Sequence, residues 1–429
     1  MRPTVGVLAC ALGGLLTACD AGGPTGPLTG LPRELSVAEQ QLIQTDNTFA
    51  FKLFREINAG EDSAANVFVS PLSVAMALGM TYNGAANETR TAMAEALDLQ
   101  GLSISDVNQA YRGVIDLLQG LDSRVEFQLA NSIWFRPQFT PLQTFQDTTR
   151  TYFDADARAL DFGAPGAADT INGWVDQHTN GKIKTIVPDP IPDASIMYLI
   201  NTIYFKGAWT YQFDKSLTRD EPFTLADWGQ ASVPMMSAAD ALPVRISRGN
   251  GVTVVELPYS RQAYAMTIVL PDAAAGAQQL ASSVTEQQWD AWIAGLDSTS
   301  IEVSLPRFTL EYAIRLNDVL KALGMAVAFD PCQADFSNMF ANGSPGNFWI
   351  DDVRHKSFVD VNEEGTEAAA ATSVGIAFTS APARIVVDRP FLFAIRERLT
   401  GTILFLGKIM DPRVSAPREI VSTPEVCAP

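Results

Sequence analysis

The chain of 429 residues carries two histidines, His178 and His355, and four cysteines, Cys10, Cys19, Cys332 and Cys427. Neither histidine stands in a nucleophile elbow, a His-Glu-x-x-His or any zinc-ligand spacing, and the cysteines form no metal-binding pattern. Hydrolysis by paired carboxylates leaves no local mark, because acid pairs assemble in space, and it stays open as an enzyme alternative. The most informative stretch carries no charge at all. Residues 368–383 are sixteen consecutive uncharged positions, mostly Ala, Ser, Thr and Gly, between Glu367 and Arg384. At period two, Thr366, Ala368, Ala370, Thr372, Val374, Ile376 and Phe378 share a face fit for burial. Glu367, Ala369, Ala371, Ser373, Gly375 and Ala377 share one small enough to slide beneath a neighbour. The segment is thus a loop in one state and a strand in another, or else an Ala-rich helix or disordered spacer; composition alone leaves these open.

The elements around it are legible. Ser36-Val37-Ala38-Glu39 is a capping box and opens a helix running to about Asn58, with Leu42, Phe49, Leu53 and Ile57 near helical spacing. Ser70-Pro71 starts a second helix, and the apolar run 72–80 predicts its burial. Val125, Phe127, Leu129, Asn131 and Ile133 alternate as a strand does, and 195–209 is a long apolar run. Residues 252–258 and 264–271 read as a hairpin around Ser260-Arg261-Gln262. Ile301, Val303 and Leu305 alternate, and a helix from about Ile314 ends at Gly324. Residues 384–387, 391–395 and 403–407 read as strands. Helices gather early and strands late without regular βαβ alternation, which predicts an α+β chain with large sheets.

Hydrophobic residues make up 47% of the chain, ample for a core, and the formal net charge is −18, from 48 acidic and 30 basic residues. Such a surface repels phosphate, so nucleic acid is not an expected partner. No Lys/Arg-rich helix precedes Val125, and Gln109 to Gly120 holds only Arg112, so polyanion control is not expected either. Residues 1–19 have a basic start, an apolar stretch too short to span a bilayer, and Leu16-Thr17-Ala18-Cys19 at the end. This is the layout of a secretion signal whose small residues before Cys19 resemble a bacterial lipobox; ordinary cleavage near Ala18 is the alternative. The expectation is export with a lipid anchor in the bacterial cell envelope, or else secretion. Residues 20–34 read as a flexible Gly-, Pro- and Thr-rich tether, 35–413 as one domain, and 414–429 as a tail. Cys332 and Cys427 would remain as thiols able to pair in an oxidising compartment.

Val361-Asn362-Glu363-Glu364-Gly365-Thr366-Glu367-Ala368-Ala369-Ala370-Ala371-Thr372 resembles the hinge of inhibitory serpins. Asp388-Arg389-Pro390-Phe391-Leu392-Phe393, followed by Leu404-Phe405-Leu406-Gly407-Lys408-Ile409, resembles the signature that follows their reactive loop. Further matches run in consistent order from Leu35 to Pro412: Asn66-Val67-Phe68-Val69-Ser70-Pro71-Leu72-Ser73, Ala130-Asn131-Ser132-Ile133-Trp134-Phe135, Asn201-Thr202-Ile203-Tyr204-Phe205-Lys206-Gly207-Ala208-Trp209, Val233-Pro234-Met235-Met236 and Leu257-Pro258-Tyr259.

The resemblance implies a serpin fold with three sheets, eight or nine helices and an exposed reactive loop. It implies an inhibitor of serine endopeptidases rather than an enzyme, a monomer with no cofactor, whose partner is a protease trapped covalently as the loop inserts into the central sheet. Ser70, Ser73, Asn201 and His355 match the family's polar gate, or shutter, where the central strands part. Trp209, Arg307 and Glu363 match the breach where the hinge enters. Inhibitory serpins are cut about fourteen residues beyond the hinge glycine, which from Gly365 reaches Thr379; counting back eleven from Pro390 also reaches Thr379. The expected bond is Thr379–Ser380, with Phe378 the recognised residue if the count slips by one. Either choice suits elastase-, chymotrypsin- or subtilisin-like pockets. The competing class is a non-inhibitory relative acting as a binding or folding-helper protein. Such relatives carry bulky or charged hinge residues, which Thr366 and Ala368 to Ala371 are not.

Overall fold

The computed structural model describes residues 26–341, 348–366 and 384–414. Helix α1 (Val37–Gly60) opens on Ser36, whose side chain accepts from the Glu39 N–H while the Glu39 carboxylate accepts from the Ser36 N–H, so the predicted capping box is present in full. A short strand β1 (Val67–Val69) leads to α2 (Pro71–Gly84), capped by Ser70 and buried on nearly all sides. Then come α3 (Asn87–Ala96) and α4 (Ile104–Gly120). Strand β2 (Glu126–Phe135), α5 (Gln143–Phe153) and β3 (Ala155–Ala159) form one parallel crossover unit, and α6 (Ala167–His178) follows.

Strands then dominate, as expected: β4 (Met197–Ala208), β5 (Asp214–Thr224), β6 (Gln230–Ser237), β7 (Leu242–Gly249), β8 (Val252–Tyr259) and β9 (Tyr264–Pro271). The β8–β9 hairpin turns at Ser260 and Gln262, both in the left-handed region. After α7 (Gly276–Ala281) and α8 (Glu286–Ala294) come β10 (Asp297–Pro306), β11 (Phe308–Arg315) and α9 (Asn317–Leu320). The last strands are β12 (Arg354–Asn362), β13 (Gly365–Thr366), β14 (Arg384–Val386), β15 (Phe391–Glu397) and β16 (Ile403–Ile409).

The helix expected from Ile314 begins later, because Ile314 is a rung of the β11–β12 ladder opposite His355. Its end stands: Gly324 has φ 108°, a conformation only glycine adopts cheaply. Helices α3 to α8 have no counterpart in the sequence reading, although α5 buries Phe145, Thr149 and Phe153 at helical spacing.

Where three sheets were expected, the ladders join into two among the described residues, because β10 pairs with β7 along its first half and with β6 and β14 along its second. One has the order β11-β12-β13-β4-β2-β3, the other runs β1-β16-β15-β9-β8-β7-β10-β6-β5 with β14 beside β10. Helices α1 and α2 and the inner faces of both sheets share one continuous core, and α6 covers a smaller cluster with Trp134, Tyr198 and Ile200. This is the α+β architecture expected, with nine α-helices among the described residues.

Within the segment read as tether, residues 26–34 are docked rather than free. Leu28 N–H donates to the Arg261 carbonyl at 2.7 Å, Arg261 Nε donates to the Gly26 carbonyl at 3.0 Å, and Leu28 and Leu31 pack on the core. Arg33 donates to Glu39 and, at 2.9 Å, to the Gly113 carbonyl. Cys332 is disulfide-bonded; Cys10, Cys19 and Cys427 lie outside the described residues.

Candidate functional site: a sheet with a seated hinge and a polar gate

Strand β13 is two residues long, yet it occupies a whole position in its sheet. Gly365 and Thr366 pair with Asn362 and Val361 of β12 on one side and with Ala208 and Gly207 of β4 on the other. Beyond that short span, β12 and β4 share no ladder among the described residues. Between them lies a cavity of about 270 Å³, walled by Ala77 of α2, Ile200 and Asn201 of β4, Trp349, and His355 and Lys356 of β12. The sheet is therefore parted in its middle, with a strand begun at one end of the gap.

At that end the hinge is held closely. Gly365 has φ 153°, and a Cβ there would lie 2.2 Å from the Gly207 carbonyl oxygen, so no other residue fits against β4. The Trp209 and Phe213 N–H groups donate to the Glu364 and Glu363 carbonyls at 2.9 and 3.0 Å. Trp209 Nε1 donates to the Asn362 carbonyl at 2.9 Å, and its ring stacks on Tyr259 with centroids 4.5 Å apart. The Glu363 carboxylate is buried; it accepts from Thr218 Oγ1 at 2.7 Å and lies 3.7 Å from a half-exposed Arg307 guanidinium. Of these two contacts the hydroxyl bond orients the buried oxygen, while an ion pair with one exposed partner adds little. Glu364 pairs with Lys215. Thr366 is buried and its hydroxyl meets that of Tyr259 at 2.7 Å.

Deeper in the gap, the four residues of the expected gate come together. Ser70 N–H donates to His355 Nε2 at 3.0 Å, and Ser70 Oγ donates to the Leu404 carbonyl at 2.8 Å. Ser73 N–H donates back to Ser70 Oγ at 3.3 Å, and Ser73 Oγ reaches the Asn201 carbonyl at 3.4 Å. Burial pushes the His355 imidazole down to about 4, so the ring is neutral and Nε2 is free to accept. Asn201 Nδ2 donates to Asn131 Oδ1 at 2.7 Å, while Asn201 Oδ1 and Thr202 Oγ1 are buried without a partner among the described residues. A polar cluster with spare acceptors exchanges its bonds more cheaply than a packed apolar seam does.

Directly after the uncharged segment, from Arg384 on, the chain is held in the second sheet. Strand β14 runs parallel to β10; Arg384 Nη2 donates to Ser304 Oγ at 3.0 Å, and Thr224 N–H donates to the Asp388 carbonyl at 2.7 Å. Glu367, Ala368, Ala369, Ala370, Ala371, Phe378, Thr379 and Ser380, with Cys19 of the lipobox, lie outside the described residues. His178 has no catalytic setting: Nδ1 faces the Trp174 carbonyl at 2.7 Å and the ring stacks on Trp174.

Sequence reasoning gave no role to Asn131, Thr218 or Tyr259. Asn131 had a signal, being a polar residue on the apolar face of an alternating strand. Tyr259 and Thr218 meet the hinge across more than 100 positions, a relationship no local pattern carries.

A family model described as Serpin (serine protease inhibitor) matches residues 44–412. A serine protease inhibitor of Cyanea capillata is 33% identical over 357 residues, covering 81% of this chain and 92% of its own length. A leukocyte elastase inhibitor of Xenopus laevis is 34% identical over 374 residues, 85% of this chain and 97% of its own. Among solved structures, the native state of tengpin, a thermophilic serpin, superposes with a TM-score of 0.78 at 30% identity, covering 90% of this chain and 97% of that one.

Proposed function

The chain belongs to the serpin family of serine protease inhibitors, and from that premise we propose that it acts as a suicide substrate. A protease attacks the loop, the acyl-enzyme forms, and the cut segment enters the parted sheet as a central strand before the acyl bond is hydrolysed. The observation that carries this reading is β13: Gly365 and Thr366 already stand between β12 and β4, in line with an unfilled gap. A loop that continued along that line would add a strand paired on both sides, a known mode of serpin chemistry.

The energetics favour completion. Thr366 is already buried; burying the six further side chains of the apolar face at ~1–2 kcal/mol each, with ~1 kcal/mol per new hydrogen bond, gives a drive on the order of 10–20 kcal/mol. Displacing one oxyanion-hole donor slows a serine protease roughly 100-fold or more, so a dragged and distorted protease keeps its acyl bond. The counts from Gly365 and Pro390 place the reactive bond at Thr379–Ser380, with elastase-, chymotrypsin- or subtilisin-like enzymes as targets. The inhibitor works as a monomer. It is exported and held in the bacterial cell envelope by a lipid on Cys19, for which the apolar run and Leu16-Thr17-Ala18-Cys19 speak. A Cys19→Ala variant would then move from the membrane fraction to the soluble one.

The decisive experiment incubates the purified protein with pancreatic elastase, chymotrypsin, subtilisin and trypsin. A covalent complex that survives SDS is expected with at least one of the first three. Loop cleavage by all of them with no complex would reject the inhibitory reading.

A further inference from the structure

The Thr366 hydroxyl has one hydrogen-bond partner among the described residues, and it comes from the other sheet. Tyr259 ends β8, its phenol is fully buried, and its oxygen lies 2.7 Å from Thr366 Oγ1. Two aromatic neighbours fix the ring: Trp209 stacks on it with an interplanar angle of 11°, and Phe205 meets it edge-on at 5.1 Å. Trp209 in turn holds the hinge backbone through the Asn362 and Glu364 carbonyls. Burial pushes the Tyr259 phenol far up, so it stays a neutral hydroxyl. A locked hydroxyl facing the first inward side chain of an incoming strand fixes register as well as position, since a slip of one residue would turn Glu367 inward.

We propose that Tyr259 is a positioning residue that latches Thr366 in register, and so sets how often a protease attack ends in a trapped complex rather than a cut loop. This rests on the suicide-substrate reading. Insertion competes with deacylation, and a strand that must first find its register starts late. With the first rung already made, zipping begins from an existing nucleus, and the costly nucleation step is removed from the race. Removing the phenol hydroxyl leaves Thr366 Oγ1 buried and unpaired, which weakens the latch without altering the peptide that the protease reads.

The test compares Tyr259→Phe, Thr366→Val and the double variant with wild type against pancreatic elastase, chymotrypsin and subtilisin. The ratio of complexed to cleaved inhibitor is read by titration and gel. Tyr259→Phe should lower that ratio about fivefold while loop attack keeps its rate, and the double variant should be no worse than the worse single one. A second buried tyrosine serves as control. Tyr264 donates to the Leu118 carbonyl at 2.8 Å and has no hydrogen bond to the hinge among the described residues; Tyr264→Phe should lower the melting temperature and leave the ratio unchanged. A Tyr259→Phe ratio equal to wild type, a ratio lowered equally by Tyr264→Phe, or additive single effects would each overturn the latch. Wild-type protein that is cut by every enzyme without complex would instead overturn the inhibitory reading beneath it.

Discussion

Ser70 and His355 stand 285 positions apart and meet at 3.0 Å, the Ser70 backbone N–H donating to a bare imidazole nitrogen. That bond makes the gate sensitive to acid. Burial holds the His355 pKa at about 4, below its ordinary 6.5, so between these values the unfolded chain binds a proton that the fold refuses. Stability therefore rises with pH across that window and is lost as pH falls from about 6.5 to about 4. The full difference amounts to about 3 kcal/mol. Protonating Nε2 also removes the acceptor that Ser70 needs. His355→Gln should flatten the acid limb of a melting-temperature profile; a profile as steep as wild type would place the sensitivity elsewhere.

Asp46 works in the opposite sense. It lies buried on α1, with Tyr111 Oη donating to its carboxylate at 3.1 Å, and burial lifts its pKa from 3.8 to about 7. The fold binds a proton that the unfolded chain releases, so this contribution is present below about 3.8 and lost as pH rises through 7. Asp46→Asn keeps the shape, removes the charge, and should stabilise the protein above pH 7 by up to about 4 kcal/mol. Between pH 4 and 6.5 the two groups oppose each other. Asp46→Asn should therefore show a steeper acid loss than wild type, which thermal scans across pH would detect.

What the sequence revealed was what its neighbours decide. The Ser36–Glu39 box and the Ser70-Pro71 start are bonds made within one turn, and both are formed. The β8–β9 hairpin needed only two alternating runs and a short turn. Ile314 looks like the start of a helix because a strand entering a helix without a break resembles a longer helix, and only its pairing with His355 settles it. Residues 26–34 looked loose by composition, yet two leucines and Arg33 find partners far along the chain. The gate came through resemblance alone: Ser70, Asn201 and His355 each have an ordinary local excuse for being polar. Tyr259 had none, being one aromatic in a strand of apolar residues, and its meaning appears only when Thr366 is set beside it.

Thr366 gives the sharpest test of insertion. Its side chain is buried between the two sheets, and an arginine there would have to carry its charge into the core. Thr366→Arg should leave the loop open to attack and abolish trapping, with the complexed fraction falling at least about 100-fold. Complex formation at the wild-type level would reject insertion as the trapping step.

Cleavage without a bound protease should be stabilising. If the cut segment completes the strand that β13 begins, most of the insertion drive appears as added stability. At ~2–4 °C per kcal/mol for a large domain the transition should climb roughly 20 °C or more. Limited proteolysis followed by calorimetry measures this. An unchanged or lower transition would favour a non-inhibitory member of the family.

Specificity follows from the two counts that converge on Thr379. If the reactive bond is Thr379–Ser380, Thr379→Arg should introduce inhibition of trypsin, whose pocket places an acid where the guanidinium ends. The same change should weaken inhibition of elastase, whose small pocket excludes so long a side chain. Phe378→Ala should matter less. Arg384 is no rival for this role: its guanidinium is bound to Ser304 and lies 3.9 Å from Glu221, on a strand already paired with β10. A pocket seeking arginine would have to strip that strand from its sheet. Mass spectrometry of the released C-terminal fragment separates the outcomes. A fragment beginning at Ser380 supports the assignment, one beginning at Thr379 moves recognition to Phe378, and one beginning at Ile385 overturns the argument from spacing.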